Sequence, residues 1–480
     1  MFEYQHRWAD EVGPYAEDMC GYRSSLDLEG LVEDGVVAFH AHSLERWLVT
    51  LRARNRVAPN VPSTSLHHTL SYPNAWGQVL QISSGMTNGR DALVCSSRAA
   101  LEGFRGMCES LKYRMGFPMR CPELAMIPLP IDTERYKIRD KQAARDLLGW
   151  DGTAKVVLWV GRFSVTDKAD LLPLLRAFRA MGDRRDRPLL VLARFGNAEY
   201  VDLLREICVA MDITDRVHLR LNPPMENIPW YYAGCDIFVA PTDNVQETFG
   251  LVVAEAAASG RPVVAADWDG YRESVVNGET GLLIGTVGAS MPGRVGRTLG
   301  VSGWRTDHLI CGQGVALDWQ ELQGALERLL DAPALCGRMG EAGRAYASER
   351  MGFRRVMSQT EDLWRALWER PVLTDVRDIC APDYEMLVRI YATRVIEEAD
   401  VVSLGPADLA IDFLYYYLPE MEHVVSKREA NEVLRFVEES GPGVEVWRIA
   451  RWAWDSGFED PRLAIVWLYK HGYLSVATRA

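Results

Sequence analysis

Residues 246–274 read QETFGLVVAEAAASGRPVVAADWDGYRES. A polar turn leads into an alanine-rich stretch with the composition of a helix. The run RPVVAA that follows has the length and β-branched content of a buried strand. Two carboxylates, Glu247 and Glu255, bracket the apolar part. One explanation is local: Glu247 complements the positive end of the helix dipole and Glu255 faces solvent. The other is an anion site at the first helical turn, where free N–H groups and the dipole suit a phosphate. Gly250 would let that phosphate approach the backbone closely. Glu247 and Glu255 would then hold hydroxyl groups on either side of it.

The alternation of strand and helix extends outward from this segment. Upstream, KVVLWVGRF, PLLVLARF, RVHLRL and DIFVAP read as strands separated by helical patterns, and TGLLIG adds a strand downstream. This predicts a doubly wound α/β domain, in which ligands sit beyond the carboxyl ends of the strands. The loop TDNVQETFG follows one such strand. The loop GRFSVTDK follows another and carries Arg162 and Lys168. Two cations there can neutralise a diphosphate leaving group; the competing reading is solvated loop charge. Both loops in the right order favour a site.

Before this domain, GVVAFHAH and DALVCSS read as buried strands, each followed by a helical pattern, which predicts a second parallel sheet. ELAMIPLPIDTERY reads as a proline-broken linker. Residues 1–35 read as irregular with one short helix, and the glycine-rich residues 286–314 as an inserted surface loop. From about residue 371 the strand signals stop and five helical segments follow. The last of these, with a terminal wing, also admit a winged-helix reading.

The 480 residues accommodate two to four domains. A net charge of −13 disfavours nucleic-acid binding, because such a chain has no field to attract phosphate backbones. Nine scattered cysteines without a CxxC pair read as reduced thiols, neither a disulfide framework nor a zinc site. The amino terminus lacks the basic start and apolar run of a signal peptide, and no stretch has the apolar length of a membrane span. The expectation is a cytoplasmic protein, with peripheral membrane contact left open.

The segments GRFSVTDK, YYAGCDIFVAP, QETFGLVVAEAAASGRPVVA, NGETGLLI and RMGEAGRAYASERM resemble the retaining family 4 glycosyltransferases, or group 1 glycosyl transferases, over about residues 36–368. The resemblance implies a GT-B fold: α/β, with two doubly wound Rossmann-like domains. Residues 1–135 would form the acceptor-side domain, shortened at its start, and residues 150–368 the donor-binding domain. Residues 371–480 would be a helical appendix. It also implies roles. Arg162 and Lys168 bind the donor diphosphate, together with the amides around Phe249, Gly250 and Leu251. Glu247 contacts the donor sugar and Glu255 the nucleotide ribose. On the acceptor side, VAFHAHS is similar to the family's histidine-bearing strand, and VPSTSLHHTLSY to the segment whose histidine faces the transferred sugar. His68 would face the transferred sugar, with His67 as runner-up; the competing reading of either is a hydrogen-bonded core histidine.

The implied reaction transfers a sugar from a nucleotide-diphosphate sugar with retention at the anomeric carbon and without a protein nucleophile. The leaving diphosphate would help to take the acceptor's proton. No cofactor or metal is expected beyond the nucleotide sugar as co-substrate. The acceptor, whether saccharide, lipid or small molecule, and the oligomeric state are left open. Three departures stand out. No strand with a glycine-rich loop precedes Gly35, so the first unit is missing or the natural start lies upstream of Met1. The family's glycine pair is replaced by DWDG, whose Asp267 and Asp269 form a DxD read as local structure. PLPID replaces the common asparagine–glycine before Asp132. The alternative function is a non-catalytic GT-B-like nucleotide-binding or scaffolding protein.

Overall fold

The computed structural model describes residues 37–477 apart from positions 68, 117, 183, 292, 302, 379, 380, 382, 408 and 459. The described chain falls into two compact units, residues 37–379 and 381–477.

The first unit holds two parallel sheets. Strands β1 (Phe39–Ala41), β2 (Ser63–His67), β3 (Asp91–Cys95) and β4 (Glu123–Met126) lie side by side in sequential order. Helices Leu44–Val57, Pro73–Gln81 and Arg98–Met115 connect them, as parallel strands require. Trp47, Leu51, Ile82, Met86 and Phe104 fill the core under these helices. Among the described strands the order does not reverse, so this sheet offers no switch point between them. One expectation needs correction, and one strand had no apolar pattern to announce it. The segment ELAMIPLPIDTERY is not linker from its start, because ELAM pairs with β3 as a strand. The polar run STSLH is the central strand β2. Its Ser63, Thr64 and Ser65 are buried and its hydroxyls find partners, as in Trp47 Nε1 to Ser63 Oγ at 2.9 Å.

The second sheet comprises β5 (Val156–Val160), β6 (Leu189–Arg194), β7 (Val217–Leu221), β8 (Ile237–Ala240), β9 (Val263–Ala266) and β10 (Gly281–Ile284). Its order is β10-β9-β8-β5-β6-β7, all parallel. Alternate residues of β5 face opposite layers. Val157 and Trp159 meet helices Leu172–Ala180, Ala198–Ala210 and Trp319–Asp331 on one side. Val156, Leu158 and Val160 meet Ile228–Gly234, Leu251–Ala258 and Pro333–Met351 on the other. The order reverses between β5 and β8, which opens a crevice between the loops that leave their carboxyl ends. The chain then returns to the first sheet. Helix Phe353–Trp368 lays Val356 and Leu363 against Val94 and Leu66, and Trp364 Nε1 bonds Thr64 Oγ1 at 3.0 Å.

Residues 286–314 are not a bare loop. They form β11 (Thr286–Gly288), helices Gly293–Thr298 and Trp304–Gln313, and lead into β12 (Val315–Leu317), which pairs antiparallel with β11. Tertiary packing overrides the poor helix propensity of the glycines. His308 is buried, its Nε2 3.2 Å from the Ser71 carbonyl and its ring against Tyr72 and Trp304.

The second unit is mainly helical but not wholly so. Strands β13 (Val401–Leu404), β14 (Val444–Glu445) and β15 (Leu474–Ala477) form a small antiparallel sheet in the order β14-β13-β15. Helices Lys427–Ser440, Val446–Asp455 and Arg462–Lys470 enclose a core with Val402, Val433, Ile449 and Leu468. Strands of two to four residues are too short to carry a period-two signal.

Candidate functional site

The crevice at the switch point is built by the two loops singled out in the sequence. β5 is followed by Gly161, where a Cβ would lie 2.5 Å from the Trp159 ring. The loop then turns through Ser164, whose carbonyl takes the Lys168 amide at 3.0 Å. This places Arg162 and Lys168 at the two ends of one turn. Arg162 is 43% exposed, 3.4 Å from the Asp167 carboxylate. Lys168 is largely buried and pairs with Glu247.

Asn244 organises the opposite loop. It donates to the Thr166 carbonyl, its own carbonyl takes Trp268 Nε1 at 3.0 Å, and its side-chain oxygen accepts the Gln246 amide at 2.8 Å. Gly250, at φ +84°, starts the helix Leu251–Ala258, and a Cβ there would fall 2.0 Å from the Tyr271 ring. Only glycine satisfies both the backbone angle and the space.

Glu247 sits in the middle of this arrangement. Besides the Lys168 ammonium it accepts the Gly250 amide at 3.0 Å and the Tyr271 hydroxyl at 3.4 Å. Tyr271 is itself held by Thr242 at 2.8 Å. Burial opposes the Glu247 charge, but Lys168 and the Gly250 and Phe249 amides outweigh it and hold the carboxyl below the usual glutamate range. Lys168 and the Gly250 and Phe249 amides, three of the donors expected to receive a phosphate, are therefore engaged by a carboxylate of the same chain.

Arg162, Lys168, Glu247, Phe249, Gly250 and Leu251 all line one cleft. The Phe249 side chain is packed in the core, whereas Leu251 is 43% exposed on the cleft wall. Glu255 is set apart. It is 7% exposed and is not among the cleft-lining residues. The Tyr232 hydroxyl donates to it at 2.7 Å, Tyr136 donates as well, and Arg194 Nη1 lies 3.9 Å away. Burial raises its pKa, with Tyr232 and Arg194 pulling the other way. Glu255 thus reaches the cleft through Arg194, which does line it. Sequence reading missed Arg194. The rule that selected Arg162, a cation at the carboxyl end of a strand, applies equally to ARF at the end of β6.

His68 lies outside the described residues. His67 is buried at the end of β2, in register with Cys95. His40 in VAFHAHS meets Thr64 Oγ1 at 2.9 Å, and burial lowers its pKa. In the DxD, Asp267 pairs with Arg272 at 2.6 Å and anchors its amide on Ile284. Asp269 adopts a left-handed backbone at φ +47°. Burial pushes its carboxyl up to about 7, and the Glu247 charge adds to this. The next residue, Gly270, lies against the backbone of Thr248 and Phe249.

Residues 140–289, which include every cleft residue except Leu129, match the family model described as glycosyl transferases group 1. The chain carries a group 1 glycosyltransferase domain. Similar curated relatives include the D-inositol 3-phosphate glycosyltransferase of Nocardia farcinica, 35% identical over 33% of this chain and 36% of the relative. That of Rhodococcus erythropolis is 33% identical over 45% of this chain and 42% of its own length. The chain thus spans about two fifths or less of these relatives. The glycosyltransferase domain and its neighbouring half share their fold with solved structures. These include the sucrose-phosphate synthase of Thermosynechococcus elongatus, with a TM-score of 0.51 and 19% identity over 71% of this chain and 75% of that one. A glycosyltransferase from Rickettsia africae gives a TM-score of 0.53 at 13% identity, over 72% of this chain and 80% of that one. Anabaena HepE, solved with UDP and glucose, gives 0.50 at 18%, over 71% and 80%. The fold is GT-B, with the glycosyltransferase domain as its second Rossmann-like half. Among the described residues no helix is long and apolar enough to cross a membrane.

Proposed function

We propose that the chain is a retaining glycosyltransferase that takes a nucleotide-diphosphate sugar as donor. The observation that carries this reading is the convergence of Arg162, Lys168 and the first-turn amides of helix Leu251–Ala258 on one cleft at the switch point. Donors preorganised around a phosphate stabilise the charge that builds on the leaving diphosphate. When the donor enters, its diphosphate takes over Lys168 and the Gly250 amide, and Glu247 turns to a hydroxyl of the sugar. Glu255 and Arg194 hold the ribose end. The glycosyltransferase activity named for the relatives and the UDP and glucose bound to HepE support a nucleoside diphosphate sugar as the ligand class. A hydroxyl compound approaching from the acceptor-side half completes the reaction, its proton leaving to the departing diphosphate.

The test is release of nucleoside diphosphate from a panel of UDP-, GDP- and ADP-sugars, followed by anomeric analysis of the product. Retention of configuration is expected. Tight nucleotide binding without release from any donor, over a panel of hydroxyl acceptors, would favour the non-catalytic alternative.

A further inference from the structure

The acceptor-side half holds a pair of thiols away from the cleft. Cys108 lies in the helix Arg98–Met115 and is buried, whereas Cys121 is exposed in the stretch that leads into β4. The helix ends at Gly116, whose left-handed backbone turns the chain back. The Arg120 amide then reaches the Ser83 carbonyl at 2.7 Å, and Ser83 Oγ lies 3.5 Å from Cys108 Sγ. Ser83 thus brings the two cysteines together, and their thiols are hydrogen-bonded to each other.

The two sulfurs are chemically unlike. The hydrogen bond from Cys108 holds the Cys121 thiol below its ordinary value, Ser83 and Lys112 assisting against burial and Glu109. The same bond, together with burial, pushes Cys108 up. An exposed thiol held below its ordinary value, next to a buried one, has the properties of an attacking thiol and its resolving partner. Burial instead pushes Cys95 and Cys235 up to about 12 and also raises Cys208, Cys311 and Cys336. Those five have no comparable activation.

We propose that Cys108 and Cys121 are a redox modification site that closes to an intramolecular disulfide when a peroxide is the oxidant. The Cys121 thiolate attacks a peroxide oxygen, the O–O bond breaks, and a sulfenic acid forms with release of water. The Cys108 sulfur then attacks the Cys121 sulfur, the S–O bond breaks and a second water leaves. Two thiols and one hydrogen peroxide give one disulfide and two waters. The cross-link ties the middle of helix Arg98–Met115 to the stretch that enters the sheet edge at β4.

The experiment treats the full chain with hydrogen peroxide and maps its peptides by mass spectrometry without reduction. The expected product is one peptide pair, joined between Cys108 and Cys121, two hydrogens lighter than the free thiols and restored by a phosphine reductant. Cys108→Ser should leave the Cys121 sulfenic acid without its partner, so that dimedone labels it, while the wild type labels weakly. Oxidation of wild-type Cys121 to sulfinic acid without the link would overturn the proposal. So would a Cys121 disulfide between two chains, or a Cys121 no more reactive than Cys95.

Discussion

Glu247 accepts the Lys168 ammonium and the Gly250 amide at once, and so ties the loop after β5 to the loop after β8. Both partners of the ion pair are largely buried. Removing one partner of such a pair leaves an uncompensated charge, at a cost of about 3–5 kcal/mol. Lys168→Met should therefore destabilise the chain strongly in urea titrations. Lys168→Met combined with Glu247→Gln should recover part of the loss. The sign with pH follows from the lowered Glu247 pKa. The pair's stabilisation is present above the usual glutamate range and is lost as pH falls through the lower folded value. The gap between wild type and Lys168→Met should accordingly narrow in acid.

The same geometry separates nucleotide binding from transfer. With no donor bound, Glu247 occupies Lys168 and the Gly250 amide, which are proposed to receive the phosphate. Glu247→Gln removes that internal anion, so free nucleoside diphosphate should bind at least as tightly as to wild type. Transfer should fall, since one hydrogen bond to a charged group is worth about 1.5–3 kcal/mol. Calorimetry and initial rates on the same variant test both halves. Weaker UDP binding with unchanged transfer would reverse the assignment.

Glu255 should behave in the opposite way. It is buried against Tyr232 and beside Arg194. Glu255→Gln should weaken free nucleotide and nucleotide sugar alike, and Arg194→Ala should follow the same pattern. If Glu255→Gln affects only the nucleotide sugar, the ribose assignment fails.

Asp269 sets a pH dependence. With its carboxyl held up to about 7 by burial and by Glu247, it is neutral below that pH and becomes a second negative charge beside the diphosphate site above it. A nucleotide sugar carries no diphosphate ionisation near neutrality, so its binding should weaken as pH rises through that point. Asp269→Asn should flatten the profile. An unchanged slope in that variant would remove Asp269 from the effect.

The glycosyltransferase domain was legible because its strands are unbroken apolar runs, such as VVLWV and IFVA, whose following loops carry the cations and the carboxylate. Periodicity and the switch-point rule then suffice to place Arg162, Lys168 and Glu247 on one crevice. What stayed hidden depends on tertiary partners. STSLH is a central strand because Trp47 and Trp364 satisfy its hydroxyls. Residues 304–313 are helical because His308 packs between Ser71 and Trp304. The short strands β13 and β15 pair residues as far apart as Val401 and Ala477, which no local pattern announces. The engagement of Glu247 by Lys168 and the Gly250 amide is likewise a matter of side-chain geometry that spacing alone does not encode.

The cleft between the β5 and β8 loops is the proposed nucleoside diphosphate site. Isothermal titration of wild type, Arg162→Ala and Lys168→Ala with UDP, GDP and ADP tests it directly. Arg162 is substantially exposed, so its removal should leave the fold intact. One nucleotide should bind wild type with one-to-one saturation, and each substitution should weaken it by about tenfold or more, the loss of one charge-assisted hydrogen bond. Absence of saturable binding by all three at millimolar concentration, or equal affinity in Arg162→Ala, would contradict the account.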